Sequence, residues 1–485
     1  MAESTQPSGT ESTATAGPAG GFRTFMVIWS AQLIARTGNG LTAFGLGVYI
    51  YQQTQSATAV AMVTAAAFVP SMVLAPVGGV LADRLDRRLL MIAGDVLSGI
   101  GLVALFIAVN AGIANTVLIC LCVGFSSVFS SVMDPAYRAT VTDLLPPAQY
   151  DKAAGMVQFA SASQYLVSPV VAGLLMAVFP ISVILLIDIG TMVITILAML
   201  VVWRALRRPN TTSKPGTGFW ADFREGARFL FSNRALLSLV LIATLATFCI
   251  GFLQTLLTPM MLDISNEETL GVVRSIAAVG MVVASLVIGI VGVGNHYRLA
   301  IAGSLAGAGV MVGLLGSTTS VLWITIFAFG FFCALPTMNT GVEVLARVAI
   351  PNALQGKVWG LIGLISQLGY VLAYAISGPL ADRVFTPLLQ PDGGWADSVG
   401  AIVGVGPSRG IGVMFIGVGI GLVLIAFTVM RSRGIRDLEI RAVQEASTTL
   451  ADETVKTDAT VPQPTGQHAT KRPAIVQPTT EQQEG

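Results

Sequence analysis

The sequence predicts an all-α membrane protein: twelve transmembrane helices in two pseudo-symmetric six-helix bundles, with both termini cytoplasmic. Three observations carry that expectation. Apolar runs of about 18 to 27 residues, each long enough to cross a bilayer as a helix, recur twelve times along the chain. Lys and Arg crowd into alternate loops, which sets an orientation. A pattern of Pro and Gly repeats at an offset of about 205 residues.

Composition supports the class. Of the 485 residues, 54% are hydrophobic and 11% charged, and mean hydropathy is +0.76. A soluble domain carries about 25% charged residues, so a water-soluble fold of this composition lacks the polar surface to cover itself. A net charge of +1 excludes the basic footprint of a nucleic-acid binder. Cys120, Cys122, Cys249 and Cys333 all lie inside apolar runs and read as small buried hydrophobes. Cys120 and Cys122 have no further ligand at metal spacing.

The elements follow in order. Residues 1–22, rich in Ser, Thr, Gly and Ala and without the apolar core of a signal peptide, predict a disordered tail. Spans at 25–50, 57–80, 89–110, 115–137, 152–178 and 182–203 form an N-terminal bundle over 23–205. A basic cytoplasmic linker covers 206–234; in it Phe219–Leu230 mixes aromatics and charges at helical spacing, as an interfacial helix does. Spans at 235–261, 269–293, 299–316, 320–345, 357–380 and 410–430 form a C-terminal bundle over 235–430. Residues 431–485 begin with a charged helical stretch and end in Thr, Pro and Gln, as a largely disordered cytoplasmic tail would.

Charge gives the sidedness. Arg84, Arg87, Arg88, Lys152, Arg204, Arg207, Arg208, Lys214, Arg224, Arg228, Arg298 and Lys357 share one set of loops. The opposite set carries Asp263, Glu267 and Glu268, with Arg383 and Arg409 near the last long loop. The basic set is cytoplasmic by the positive-inside rule. In the first half Pro147 is followed by Gly155 and then by Pro169 and Gly173; in the second, Pro351 precedes Gly360, with Gly378-Pro379 further on. Parallel repeats of this kind place a substrate site between the halves near mid-membrane.

One loop is unusually charged for its position. Gly79-Val80-Leu81-Ala82-Asp83-Arg84-Leu85-Asp86-Arg87-Arg88 joins the second and third spans. It resembles the signature loop of the major facilitator superfamily, with Asp86 where that family has a glycine. The Asp83-Arg84-Leu85-Asp86-Arg87-Arg88 variant resembles the branch of enterobactin exporters and macrolide-efflux proteins. Tyr49–Ala57, Asp134-Pro135-Ala136-Tyr137 and Gly378-Pro379-Leu380-Ala381-Asp382-Arg383 resemble the same branch. The second-half counterpart of the loop, Gly292–Arg298, has lost the acid, and the antiporter pattern of the fifth span is reduced to Ser168–Gly173. The resemblance implies the major facilitator fold over roughly residues 22–430. It also implies a gate in which Asp83 faces the start of the eleventh span, with Asn352 as that helix's N-cap. Arg84, Arg87 and Arg88 would pair with Asp86 and with anionic headgroups; a plain positive-inside anchor is the alternative.

Candidate site residues lie along the spans. Arg36 sits about 16 Å into the first span at 1.5 Å per residue, where a cation needs protein or water to face. Gln32 and Asn39 extend its polar stripe. Asp188 in the sixth span is a candidate for proton coupling or a structural partner of Arg36. Asp134 with Arg138, and Glu343 with Arg347, are spaced to pair on one helix face; Asp134 and Glu343 are further coupling candidates. Ser127, Ser130, Phe252, Gln254, Met338 and Asn339 complete the candidate cavity, though a serine run also suits helix packing.

Function classes narrow accordingly. No Gly-x-x-x-x-Gly-Lys-Ser/Thr loop is present, and His296 and His468 are the only histidines, neither in a span. An enzyme, an ATP-driven pump and a metal or cofactor site are not expected. A monomeric, proton-coupled exporter of a bulky amphipathic small molecule, such as a drug, macrolide or siderophore-like metabolite, is the expectation. A lipid flippase of the same fold and a non-transporting receptor or scaffold are the alternatives.

Overall fold

The computed structural model describes residues 21–146, 149–203, 219–444 and 447. Residues 1–20, most of the expected C-terminal tail beyond 444, Pro147 and the linker residues Arg204, Arg207, Arg208 and Lys214 lie outside them. The described secondary structure is helical: α1 (Gly21–Thr54), α2 (Ala57–Arg84), α3 (Arg87–Asn110), α4 (Thr116–Leu144), α5 (Tyr150–Leu166), α6 (Ser168–Met176) and α7 (Ile181–Val202) come first. Then follow α8 (Phe219–Ser232), α9 (Arg234–Ile264), α10 (Glu267–Val291), α11 (Tyr297–Ser317), α12 (Val321–Ala349) and α13 (Gln355–Leu380). The short α14 (Thr386–Leu388) and α15 (Gly400–Val403) precede α16 (Pro407–Arg431). Residues from 440 onward form a second unit, helical where described.

Eleven segments among the described residues are long and apolar enough to cross a membrane. The longest helix, the 34-residue α1, is not one of them; Gln32, Arg36, Thr37 and Asn39 lower its hydropathy. The helices start where polar caps permit. Ser56, Asn115, Asn233 and Asn266 each accept a backbone N–H from the first turn of α2, α4, α9 and α10, satisfying donors that lipid leaves without partners. The expected fifth span is broken at Val167 into α5 and α6. Pro169 is the physical reason: it lacks an N–H and disfavours helical geometry before it.

Within residues 21–203, α1 packs on α7 and α4 on α2 and α3; within 234–431, α9 packs on α13, α10 on α12 and α11 on α16. The α11–α16 seam is backbone against backbone. A Cβ on Gly316 would lie 2.2 Å from the Gly412 carbonyl, and one on Gly419 2.4 Å from that of Gly309. Gly303, Gly307, Gly417 and Gly421 of the same two helices meet open space.

The two sets repeat one device. Arg88, at the start of α3, donates to the Trp203 carbonyl at 2.9 Å and lies over the Trp203 ring. Arg298, at the start of α11, donates to the Met430 carbonyl at 3.0 Å. Asp86 caps the Arg88 amide at 3.0 Å and pairs with its guanidinium at 2.5 Å. The second loop has lost that acid, yet Glu439, from the helix that follows α16, accepts the Arg298 amide at 2.9 Å and pairs with its side chain at 3.7 Å. A residue distant in sequence thus restores the missing carboxylate.

Glu439→Ala should lower the apparent melting temperature of the purified protein by a few degrees, about 1–2 kcal/mol of lost capping and pairing. The exposed neighbour Asp437→Asn should leave it unchanged in the same thermal-unfolding measurement.

Candidate functional site

The seam between the two helix sets is closed at one end and open at the other. At the end where α1 passes into α2, three contacts close it. The Asp382 carboxylate accepts the Ser56 hydroxyl at 2.6 Å and the Ala57 and Thr58 amides at 3.0 and 2.8 Å. It sits on a π-helical turn, Ala381–Phe385, that continues α13. The Tyr51 hydroxyl donates to Asp263 at 2.7 Å, joining the ends of α1 and α9. Beside them α6 and α10 touch so closely that a Cβ on Gly271 would lie 2.2 Å from the Pro169 carbonyl.

Below that closure lies an aromatic and cationic layer. Phe68 of α2 packs on Tyr370 and Tyr374 of α13 at 5.1 and 5.8 Å between ring centroids. Arg274 of α10 donates to the Gln254 carbonyl at 2.5 Å and the Thr258 hydroxyl at 2.7 Å, and its guanidinium lies over Phe44 of α1. A cation at this depth is stable only because two oxygens and a ring face take the place of water.

Toward the α2/α3 end the sets part. Arg36 of α1, 15% exposed, forms an ion pair with Asp134 of α4, 51% exposed. Asp134 also lies 3.9 Å from Arg138, and Glu343 lies 3.2 Å from Arg347, so both one-turn pairs exist. A Cβ on Gly79, Gly155, Gly356, Gly360 or Gly363 would meet nothing within 4 Å.

The other expected site residues sort by packing. Asp188 is buried and accepts the hydroxyls of Thr42 at 2.6 Å and Thr191 at 3.3 Å, so it is the partner of threonines and not of Arg36. Ser127 donates to the Ala67 carbonyl and Ser130 bonds to Ser98, which ties α4 to α2 and α3. Phe252 packs on Phe248 and Phe415, and Met338 is buried, both within the C-terminal set. Gln32 is buried with its side-chain amide nitrogen unpartnered, while Asn39 and Asn339 are exposed. Gln254 contributes its carbonyl to Arg274.

In the charged loop, Arg87 donates to the Ala82 and Ala139 carbonyls at 3.3 and 3.2 Å and Arg88 pairs with Asp86. Arg84 is exposed, and the Asp83 side chain lies outside the described residues. Asn352 does not cap α13: that helix starts at Gln355, and Asn352 accepts from the Gln355 side chain at 3.0 Å. Lys357 in the first turn of α13 bonds instead to Glu225 of α8 at 2.6 Å. Sequence reasoning passed over Arg274, the buried Asp95 of α3, and the partner of Asp382. A lone arginine within the run 269–293 was the available signal for the first. The repeated Gly-x-Leu-Ala-Asp-Arg was the signal for the last. Among the described residues no group of three or more His, Cys, Asp or Glu is placed to hold a metal ion.

Comparison with known proteins agrees with this architecture. A family profile described as Major Facilitator Superfamily matches residues 28–374. Macrolide efflux protein A of Streptococcus pyogenes is 26% identical over 372 residues, covering 74% of this chain and 90% of its own. Multidrug efflux pump Tap of Mycolicibacterium fortuitum is 24% identical over 373 residues, with 74% and 89% covered. A bacterial homologue of the human lysosomal transporter Spinster, solved inward-facing and unoccupied, superposes with a TM-score of 0.61 at 14% identity, covering 88% of this chain and 99% of that one.

Asp134→Ala should lower the apparent melting temperature, because it leaves the mostly buried Arg36 without its acid. Arg36→Met/Asp134→Ala should recover most of that loss. Thermal unfolding of the three variants in detergent checks both.

Proposed function

Because the chain belongs to the major facilitator superfamily, we propose that it is a secondary active exporter that moves a bulky amphipathic small molecule outward in exchange for protons. The family and the relatives above are transporters, not enzymes, and the chain is a multi-pass protein of the plasma membrane. The finer statement is supported by one observation above the rest: the seam is sealed by Asp382, Tyr51 and Asp263 at one end and open around Arg36 and Asp134 at the other.

In this reading α1 is the first of twelve spans, giving two six-helix bundles. The basic residues Arg84, Arg224, Arg228 and Lys357 put the open end on the cytoplasmic side, with both termini there. The structure is then the inward-open state, ready to receive substrate from the cytoplasm. Phe68, Tyr370 and Tyr374 form an aromatic ceiling, and Arg36 offers hydrogen-bond donors below it, which suits an amphipathic ligand.

Coupling follows from competition between a proton and Arg36 for one carboxylate. Asp134 faces the open end and holds Arg36. A proton delivered to the Asp134 carboxylate removes its charge and frees Arg36; loss of that proton re-forms the pair. Glu343, held by Arg347, is the equivalent acid on α12, whereas Asp188 is sealed among threonines and serves α1–α7 packing. Asp83, with Gly79 and the arginines Arg84, Arg87 and Arg88, closes the cytoplasmic end in the alternate state, and the halves rock around the mid-membrane site.

Proteoliposomes loaded with a radiolabelled macrolide should show flux that depends on an imposed pH gradient and collapses with a protonophore. Asp134→Asn should retain downhill flux and lose the gradient dependence. Flux indifferent to the gradient in the unsubstituted protein would favour the lipid-flippase alternative and contradict proton coupling. Asp83→Asn should insert normally and lose transport by about tenfold or more, equivalent to about 1.4 kcal/mol in the gating equilibrium.

A further inference from the structure

The hexapeptide Gly-x-Leu-Ala-Asp-Arg occurs twice, as Gly79–Arg84 at the end of α2 and as Gly378–Arg383 at the end of α13. These two helices are paired across the seam and run antiparallel. The motif of each therefore lies on the side of the membrane where the other helix begins. In both copies the glycine precedes the acid by about one helical turn, on one face.

One copy is engaged. Asp382 accepts three hydrogen bonds from Ser56, Ala57 and Thr58, the first turn of α2. Those amides are donors that no residue within the helix can satisfy, and a carboxylate there also meets the positive end of the helix dipole. Gly378, one turn earlier, lets the backbones meet: a Cβ there would lie 2.5 Å from the Thr58 Cα.

Around the glycine of the other copy there is open space. A Cβ on Gly79 would meet nothing within 4 Å. Gly79 follows Phe68 by about three turns, so it shares the face that Phe68 presents to α13. On the facing helix, Gly363 precedes Tyr370 by about two turns, and Gly356, Gly360 and Gly363 also meet open space. The N-cap of α13, Leu354, offers no side-chain acceptor to its first turn. The cytoplasmic half of the α2–α13 pair thus carries the same motif, beside glycines on both helices that face open space.

We infer that Asp382 is the extracellular latch of the transport cycle, holding the N terminus of α2 while the outer end is closed and releasing it as Asp83 takes the N terminus of α13. The helices pivot on the Phe68–Tyr370–Tyr374 contact, exchanging one capped helix start for the other. Ser56 has two jobs in the latch, since its oxygen accepts the Ala59 amide while its hydroxyl donates to Asp382. The latch rests on the transporter reading above, and its test separates the two.

The test is a distance measurement between spin labels at Ala111→Cys and Thr319→Cys. Both positions are exposed, in the α3–α4 and α11–α12 loops at the sealed end. The four native cysteines are replaced first, and the protein is reconstituted in lipid. Asp382→Asn keeps the side chain's size but replaces one accepting oxygen by a donor. It should raise the ratio of long to short distances about tenfold, or about 1.4 kcal/mol. Ser56→Ala should shift the ratio the same way by less. Asp83→Asn should shift it oppositely, and Asp83→Asn/Asp382→Asn should return it toward the starting value, which misfolding would not do. Two populations that Asp382→Asn leaves in their original ratio, or shifts in the same direction as Asp83→Asn, would overturn the latch alone. A single unchanging distance, with or without macrolide and a pH gradient, would overturn the alternating-access reading and the latch with it.

Discussion

A helix that begins inside or at the edge of a bilayer has backbone donors that nothing in its own sequence can satisfy. In this protein the start of α2 meets that requirement from across the seam, through Asp382 of α13. Much of the rest depends on where that acid comes from. Ser56 caps only the Ala59 amide, and the Ala57 and Thr58 amides are met from the other helix set. Because the acid belongs to the other set, capping the helix also joins the two sets at this end. The glycine one turn before it sets the approach distance. The aromatic layer below gives the pair a contact that does not depend on either end.

The charges within the spans follow the same logic of borrowed partners. Arg274 rests on oxygens of α9 and a ring of α1. Asp188 is held by threonines of α1 and α7. Arg36 has the most exposed partner of the three, Asp134, on the open side of the seam. A sealed carboxylate among hydroxyls stabilises packing, whereas an ion pair reached from one side of the membrane is accessible to both a proton and a ligand. On the proposed mechanism, that difference in access makes Asp134 the coupling acid and leaves Asp188 a structural one.

The architecture was legible because membrane spans leave a strong pattern: long apolar runs, basic loops on one side and polar caps such as Ser56, Asn115 and Asn266. The one-turn pairs Asp134–Arg138 and Glu343–Arg347 were legible because helical spacing alone dictates them. What the pattern did not carry was contact between distant segments. Glu439 replaces the acid missing from Gly292–Arg298 from a helix some 140 residues away. Asp188 and Arg36 were plausible partners by depth, but the rotation of α1 turns Thr42 to the one and aims the other at α4. Ser127, Ser130, Phe252 and Met338 lie on helices of the seam, yet their own faces turn into packing. Which way a residue faces depends on helix phase and crossing angle, and an evenly apolar membrane helix records neither.

The central claim is that the starts of α2 and α13 are capped alternately by acids from the opposite helix set. Amide hydrogen exchange in lipid, followed at residues 57–60 and 355–358 while macrolide and a pH gradient are varied, reads both helix starts in one experiment. Conditions that speed exchange at the start of α2 should slow it at the start of α13. Exchange that rises and falls together at the two sites would contradict the account.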